Sequence, residues 1–262
     1  MTPHTASSSD VPGIVWFRED LRLADNPALA AAIGHGAPIL CLYIHDEESP
    51  GLRPHGGASR WWLGRSLASL SADLEACGAK LHVLLGAAGP LIERIVTQTR
   101  AGAVFWNRRY GAAEREIDAG LKARLQALGV HCQSFNSHLL REPWEVTTQA
   151  GGPMKVFTPF WRAARALGEP AKPLPAPRLI SGAALPPALR PLAVAIDSLG
   201  FEPSTPDWAG GIRAEWQPGE AGAHARLETF LDDGLKGYGE GRNRPDRMST
   251  SKLSPHLRFG EI

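Results

Sequence analysis

The chain is short of cysteine, with three in 262 residues. Cys41, Cys77 and Cys132 are far apart in the sequence. This excludes a cysteine-based metal or redox spacing and fits a reducing compartment. The nine histidines are scattered and none pairs at ligand spacing with a second ligand type, so a metal site has no support. No apolar run approaches the roughly 20 residues of a membrane helix. Net charge is only +1, which gives the whole chain no electrostatic case for nucleic acid; any such case has to be local. No G-x-S-x-G or other nucleophile motif occurs. The opening MTPHTASSSD is polar and lacks the apolar core of a secretory signal. Residues 1–11 are expected to form a disordered tail. These absences point to a cytoplasmic protein, and the alanine-rich composition to a bacterial one.

What is present suits an ordinary soluble core: 43% hydrophobic and 21% charged residues. Short apolar runs bounded by Gly or Pro predict strands at Gly13–Phe17, Pro38–Ile44, Lys80–Leu85, Ala103–Asn107 and Val130–Phe135. Helix-like stretches separate them. One carries Leu63, Leu67, Leu70 and Leu74 on a single face, another Ile117, Leu121, Leu125 and Leu128. Strand–helix alternation of this kind predicts an α/β fold: a Rossmann-like, doubly wound sheet of five parallel strands over residues 12–140. The first predicted strand is not followed by G-x-G-x-x-G, which argues against ordinary NAD or FAD binding in that sheet.

Beyond it the alternation fails. Ten of the 22 prolines lie between Pro170 and Pro218. Proline removes donors and fixes φ, so residues 141–221 read as a long connection over a surface. The aromatic segment Lys155–Arg162 is expected to anchor it. From 222 a helical pattern returns, with Ala223, Leu227, Phe230 or Leu231, and Leu235 as its apolar side. Residues 222–262 read as the start of a helical domain.

Three places carry chemistry. The loop after the first strand puts Arg18, Asp20, Arg22 and Asp25 at the carboxyl edge of the sheet, where doubly wound folds bind ligands. The plainer reading is structural: Asn26 caps a helix with Pro27 in its first turn, and Arg–Asp pairs hold the loop. After the fourth strand come Arg108, Arg109, Tyr110 and Glu114; the plain reading of Glu114 is complementing a helix dipole. Between Lys236 and Arg258, six cations face only Glu240 and Asp246. Glycines are interleaved there, and Thr250, Ser251, Lys252 and Ser254 cluster beside a helix start at Pro255. Hydroxyls, amides and a positive helix end are what a phosphate needs.

Together these pieces resemble the DNA photolyase/cryptochrome family, in order and over nearly the whole chain. Val15-Trp-Phe-Arg-x-Asp-Leu-Arg-x-x-Asp-Asn-x-Ala-Leu29 is similar to its opening signature. Lys155-Val-Phe-Thr-Pro-Phe160 resembles the segment that closes its α/β domain. Tyr238 with Arg242, then Thr250-Ser-Lys-Leu-Ser-Pro-x-Leu-x-x-Gly260, resembles the first part of its flavin-binding domain. The resemblance implies FAD as cofactor, contacted by Tyr238 and held at its phosphates by Thr250, Ser251, Lys252, Leu253 and Ser254. It implies that Arg242 reaches a phosphate of damaged DNA carrying a pyrimidine dimer. Glu114 falls where folate-type members hold a methenyltetrahydrofolate antenna. Ala113 replaces an asparagine of some such members, which leaves a deazaflavin antenna, or none, open. The implied activity is that of a monomeric deoxyribodipyrimidine photo-lyase: light-driven splitting of cyclobutane dimers by an electron from reduced FAD. A cryptochrome-type blue-light receptor is the alternative. A stand-alone nucleotide-binding protein would leave Tyr238–Gly260 without a task. The resemblance also implies that the helical domain is incomplete at Ile262. On that basis the chain is expected to hold FAD weakly and to be inactive alone, and no catalytic residue is assigned.

Overall fold

The computed structural model describes residues 11–262, so the tail expected at the N-terminus lies outside the described residues except for Val11. Five strands form one parallel sheet: β1 (Gly13–Phe17), β2 (Ile39–His45), β3 (Leu81–Leu85), β4 (Ala103–Asn107) and β5 (His131–Phe135), in the order β3-β2-β1-β4-β5. Each is within a residue of its expected bounds. Strands buried on both faces read as continuous apolar runs, as β1, β2 and β4 do; β5, at the sheet edge, is half-exposed and more polar. The crossovers are α1 (Pro27–His35), α2 (Gly57–Ala76), α3 (Ala88–Thr99) and α4 (Ala112–Ala127). On one face, Val15, Phe17, Cys41 and Tyr43 pack against α1 and α2. On the other, Ile14, Trp16, Leu40 and Leu42 pack against α3 and α4. Leu63, Leu67, Leu70 and Leu74 are all buried, as are Leu121 and Leu125. Leu128 is not: α4 ends at Ala127, and Leu128, at its C-cap, is 60% exposed.

The proline-rich stretch contributes no strand to this sheet and only one short helix, α6 (Gly210–Glu215), besides two single 3₁₀ turns. It follows the β3 side of the sheet. Ala183 N donates to Ile39 O at 2.7 Å, and Val194 N donates to Val83 O at 2.9 Å. The stretch's own Ile180, Leu185 and Leu189 are buried against the core of the sheet domain.

The Lys155–Arg162 segment does not anchor the connection. It opens α5 (Phe157–Ala166), of which only Ala164 is buried. Phe157, 72% exposed, stacks on Trp161, 48% exposed, so the aromatics pack on each other and not on the core. The last helices are α7 (Glu220–Thr229), α8 (Tyr238–Gly241) and α9 (Ser254–Phe259), with a π turn at Phe230–Gly234. That turn breaks the expected apolar stripe: Ala223 is buried, whereas Leu231 and Leu235 are exposed.

Candidate functional site

In this strand order the chain reverses direction between β1 and β4, so the crevice available to a ligand opens at their carboxyl ends. The loop after β1 fills it. Asn107, the last residue of β4, donates from Nδ2 to Asp20 Oδ2 at 2.6 Å and to Asn26 Oδ1 at 2.8 Å. Asn26 Oδ1 also accepts from Leu29 N at 3.1 Å, capping α1. Asp20 Oδ1 takes the Arg18 amide at 2.5 Å. Arg18 is buried against the Trp16 ring, donates to Asn107 O, and pairs with Asp118 of α4 at 2.6 Å. Burial pulls the Arg18 pKa below its ordinary value, opposed by Asp118. Arg22 spends its guanidinium on carbonyls of Ala24, Asp25, Ser137 and Gly260, and only grazes the Asp25 carboxylate at 3.9 Å. The plainer reading of this loop is therefore correct, with carbonyls and Asp118 in the place expected for neighbouring aspartates. A cavity of about 50 Å³ remains, between Tyr43, His45, His55 and Arg109. It accommodates a water or two and no ring system.

Glu114 sits in the first turn of α4, and its carboxylate folds back over Gly111, where a Cβ would lie 2.0 Å from Oε2. That is the dipole-complementing position. Its neighbour Arg115 lines a separate cavity of about 470 Å³ with Lys122 and Ser134. Arg108 and Tyr110, expected at the crevice, converge instead on Glu142: Tyr110 Oη donates to it at 2.8 Å, and burial with that carboxylate pushes the phenol up to about 12.

The C-terminal motifs come together. A Cβ on Gly241 of α8 would lie 2.2 Å from Ser249 Oγ, so the Tyr238–Arg242 turn rests directly on the start of the hydroxyl cluster. Thr250 and Ser254 are exposed, Ser251 and Leu253 half-buried, and no side chain caps the first turn of α9. Lys252 takes a left-handed φ of 53° and spends its ammonium on Glu215 at 2.7 Å. Tyr238 meets Phe230 edge-on, and Arg242 lies over the Tyr238 ring. Arg244 pairs with Asp246 and Arg258 with Glu19. Among the described residues, Lys236, Arg242 and Arg247 have no carboxylate partner, so the local positive surplus is narrower than composition suggests.

Sequence reasoning missed what holds this segment to the sheet domain. Glu261 is fully buried and accepts from Trp62 Nε1 at 2.9 Å, from Ser66 Oγ, and from His256 Nδ1 at 2.5 Å. Leu21 N donates to Phe259 O at 3.1 Å. Glu220, at the head of α7, accepts from the Leu23 and Ala24 amides at 2.7 and 3.1 Å. The one signal available was a carboxylate wedged between Phe259 and Ile262 beside a glycine.

The family profile described as DNA photolyase matches residues 13–178. The chain belongs to the DNA photolyase family. The deoxyribodipyrimidine photo-lyase of Agrobacterium fabrum is 43% identical over 256 residues, covering 98% of this chain and 52% of that protein. Cryptochrome-1 of Arabidopsis thaliana is 38% identical, over 95% of this chain and 36% of its own length. The crystal structure of a bacterial class III photolyase from Agrobacterium tumefaciens superposes with a TM-score of 0.91 at 41% identity, covering all of this chain and 53% of that one. The photolyase-family chain thus spans about half the length, or less, of these relatives. No described helix is long and apolar enough to cross a membrane.

Proposed function

We propose that this chain acts in light-driven repair of DNA, as part of a deoxyribodipyrimidine photo-lyase that splits cyclobutane pyrimidine dimers. The observation that carries the reading is the seating of the Tyr238–Arg242 turn, through Gly241, on Ser249, next in sequence to the Thr250–Ser254 hydroxyls. The donor set fits a phosphate: exposed hydroxyls, amides at an uncapped helix start, and no carboxylate within the cluster itself. Thr250, Ser251 and Ser254 would hold the FAD phosphates, Leu253 and Lys252 would shape the loop, and Tyr238 would pack against the cofactor. Lys252, engaged by Glu215, serves as a strut more than as a phosphate cation. FAD, when bound and reduced, supplies the electron for dimer splitting. Arg242 would contact a DNA phosphate, helped by Lys236 and Arg247, while the damaged pair, poorly stacked, is flipped out.

The cavity at the switch point, about 50 Å³, is far smaller than the one along α4, about 470 Å³. On this reading a folate-type antenna lies along α4 beside Arg115 and Lys122, and Glu114 must swing off Gly111 to reach it.

The test is a chimera in which this chain replaces the matching half of the Agrobacterium fabrum photo-lyase. Light-dependent loss of thymine dimers from irradiated oligonucleotide is expected, with none in the dark. A folded chimera that retains FAD yet repairs nothing in the light would overturn the repair reading. It would favour the cryptochrome-type receptor, to which the 38% identity with Cryptochrome-1 points.

A further inference from the structure

A further cavity lies outside the site described so far. The connection touches the sheet beside Gly182, which bridges Ile39, and again at Ala193, which bridges Leu84. Between these points a groove of about 670 Å³ runs along the outer edge of β3. That volume is in the range of small-molecule sites. Its wall is apolar, formed by Leu81, Leu185, Ala193 and Ile196, and its polar groups are Ser71, Lys80, His82 and Arg190. No carboxylate lines it. Among the described residues neither Lys80 nor Arg190 has an acidic partner; Arg190 Nε makes one weak bond, to Leu185 O at 3.3 Å. His82 is 8% exposed; its ring shares a hydrogen bond with the Ala183 backbone, and among the described residues its buried Nε2 has no partner.

Lys80 and Arg190 are exposed and, among the described residues, engage no carboxylate, so both are available to an anion beside the apolar wall. The buried His82 nitrogen without a partner forfeits its solvation. An anion bound there would pair with the cations, and the wall would bury whatever apolar body the anion carries. We propose that this groove binds a small phosphate monoester, with Lys80 and Arg190 on the phosphate and Leu185, Ala193 and Ile196 against its organic part. Phosphate is favoured over carboxylate because two cations line the site, and a dianion can use both, through charge-assisted bonds. In the free protein burial, then the Lys80 charge, keep the His82 pKa below its ordinary value. An anion nearby would draw that pKa upward.

The probe is phenyl phosphate, titrated calorimetrically into the 262-residue chain, with inorganic phosphate and benzoate run alongside and the His82 imidazole followed by NMR. Saturable binding tighter than about 1 mM is expected, together with movement of the His82 resonances. Lys80→Gln and Arg190→Gln should each weaken it about tenfold. Arg162→Gln, on α5 and away from the groove, should not change it. Among the described residues Lys80 has no side-chain hydrogen-bond or ion-pair partner, so its variant reports on binding even where Arg190→Gln perturbs the connection. Absence of saturable binding, equal binding by all three variants, or benzoate binding as well as phenyl phosphate would overturn the proposal. Inorganic phosphate binding equally well would overturn the role given to the apolar wall.

Discussion

Glu261 and its neighbour Gly260 show how much one residue can decide. Three buried donors meet on the Glu261 carboxylate, and removing it leaves Trp62, Ser66 and His256 facing nothing. Glu261→Ala should therefore cost about 3–5 kcal/mol, as for breaking one side of a buried charged pair. Glu261→Gln should cost less, since its carbonyl can still accept from Trp62. At Gly260, φ is +63° and a Cβ would lie 1.9 Å from Glu19 O, so Gly260→Ala should destabilise by more than about 1 kcal/mol. Urea unfolding of the three variants checks the order. Near-wild-type stability for Glu261→Ala would show that the segment is not held by this carboxylate. Asn107 is the counterpart inside the sheet. Asn107→Asp swaps a donor for an acceptor opposite Asp20 and Asn26, and should loosen the loop that closes the crevice.

At the scale of elements, periodicity tells which face is apolar, but not where the face ends or whether a partner covers it. The central strands were legible because burial on both sides leaves apolar runs between glycines and prolines; β5, a half-exposed edge strand of sequence HCQSF, has only the weaker signal of its glycine-bounded position. The leucine stripe of α2 was legible because all its turns meet the sheet. Leu128 matched the same spacing and is exposed, because the chain leaves the helix one residue earlier. Leu125→Ala should cost about 2–5 kcal/mol and Leu128→Ala less than about 0.5 kcal/mol. Equal losses would mean that α4 runs on past Ala127. The aromatics of α5 make the same point: composition suggested an anchor, yet Phe157 and Trp161 touch each other and little else. Phe157→Ser should leave the unfolding midpoint of this chain almost unmoved.

For the molecule as a whole, the sequence showed which chemistry its C-terminal motifs could serve, while the docking that places them was invisible. Polar residues such as Glu220, His256 and Glu261 are ordinary in a string and become structural only when distant segments enclose them. Enclosure also sets how the fold responds to acid. His45, His55, His82 and His138 all have pKa values lowered chiefly by burial; at His45 the nearby Glu47 opposes the shift, and at His55 Arg258 adds to it. A histidine kept neutral by the fold binds its proton more readily once unfolded. Its contribution to stability is therefore complete above the unfolded value of about 6.5 and is lost as pH falls toward the folded one. Each such histidine can tilt stability by at most about 1.4 kcal/mol per pH unit inside that window. Urea midpoints should thus drop between about pH 7.5 and about pH 5, before carboxylate protonation dominates. The double variant His45→Gln, His82→Gln removes two of the four groups and should flatten that slope. A slope unchanged by the double variant would place the acid sensitivity elsewhere, and a midpoint that rose on acidification would contradict the sign of the shifts themselves.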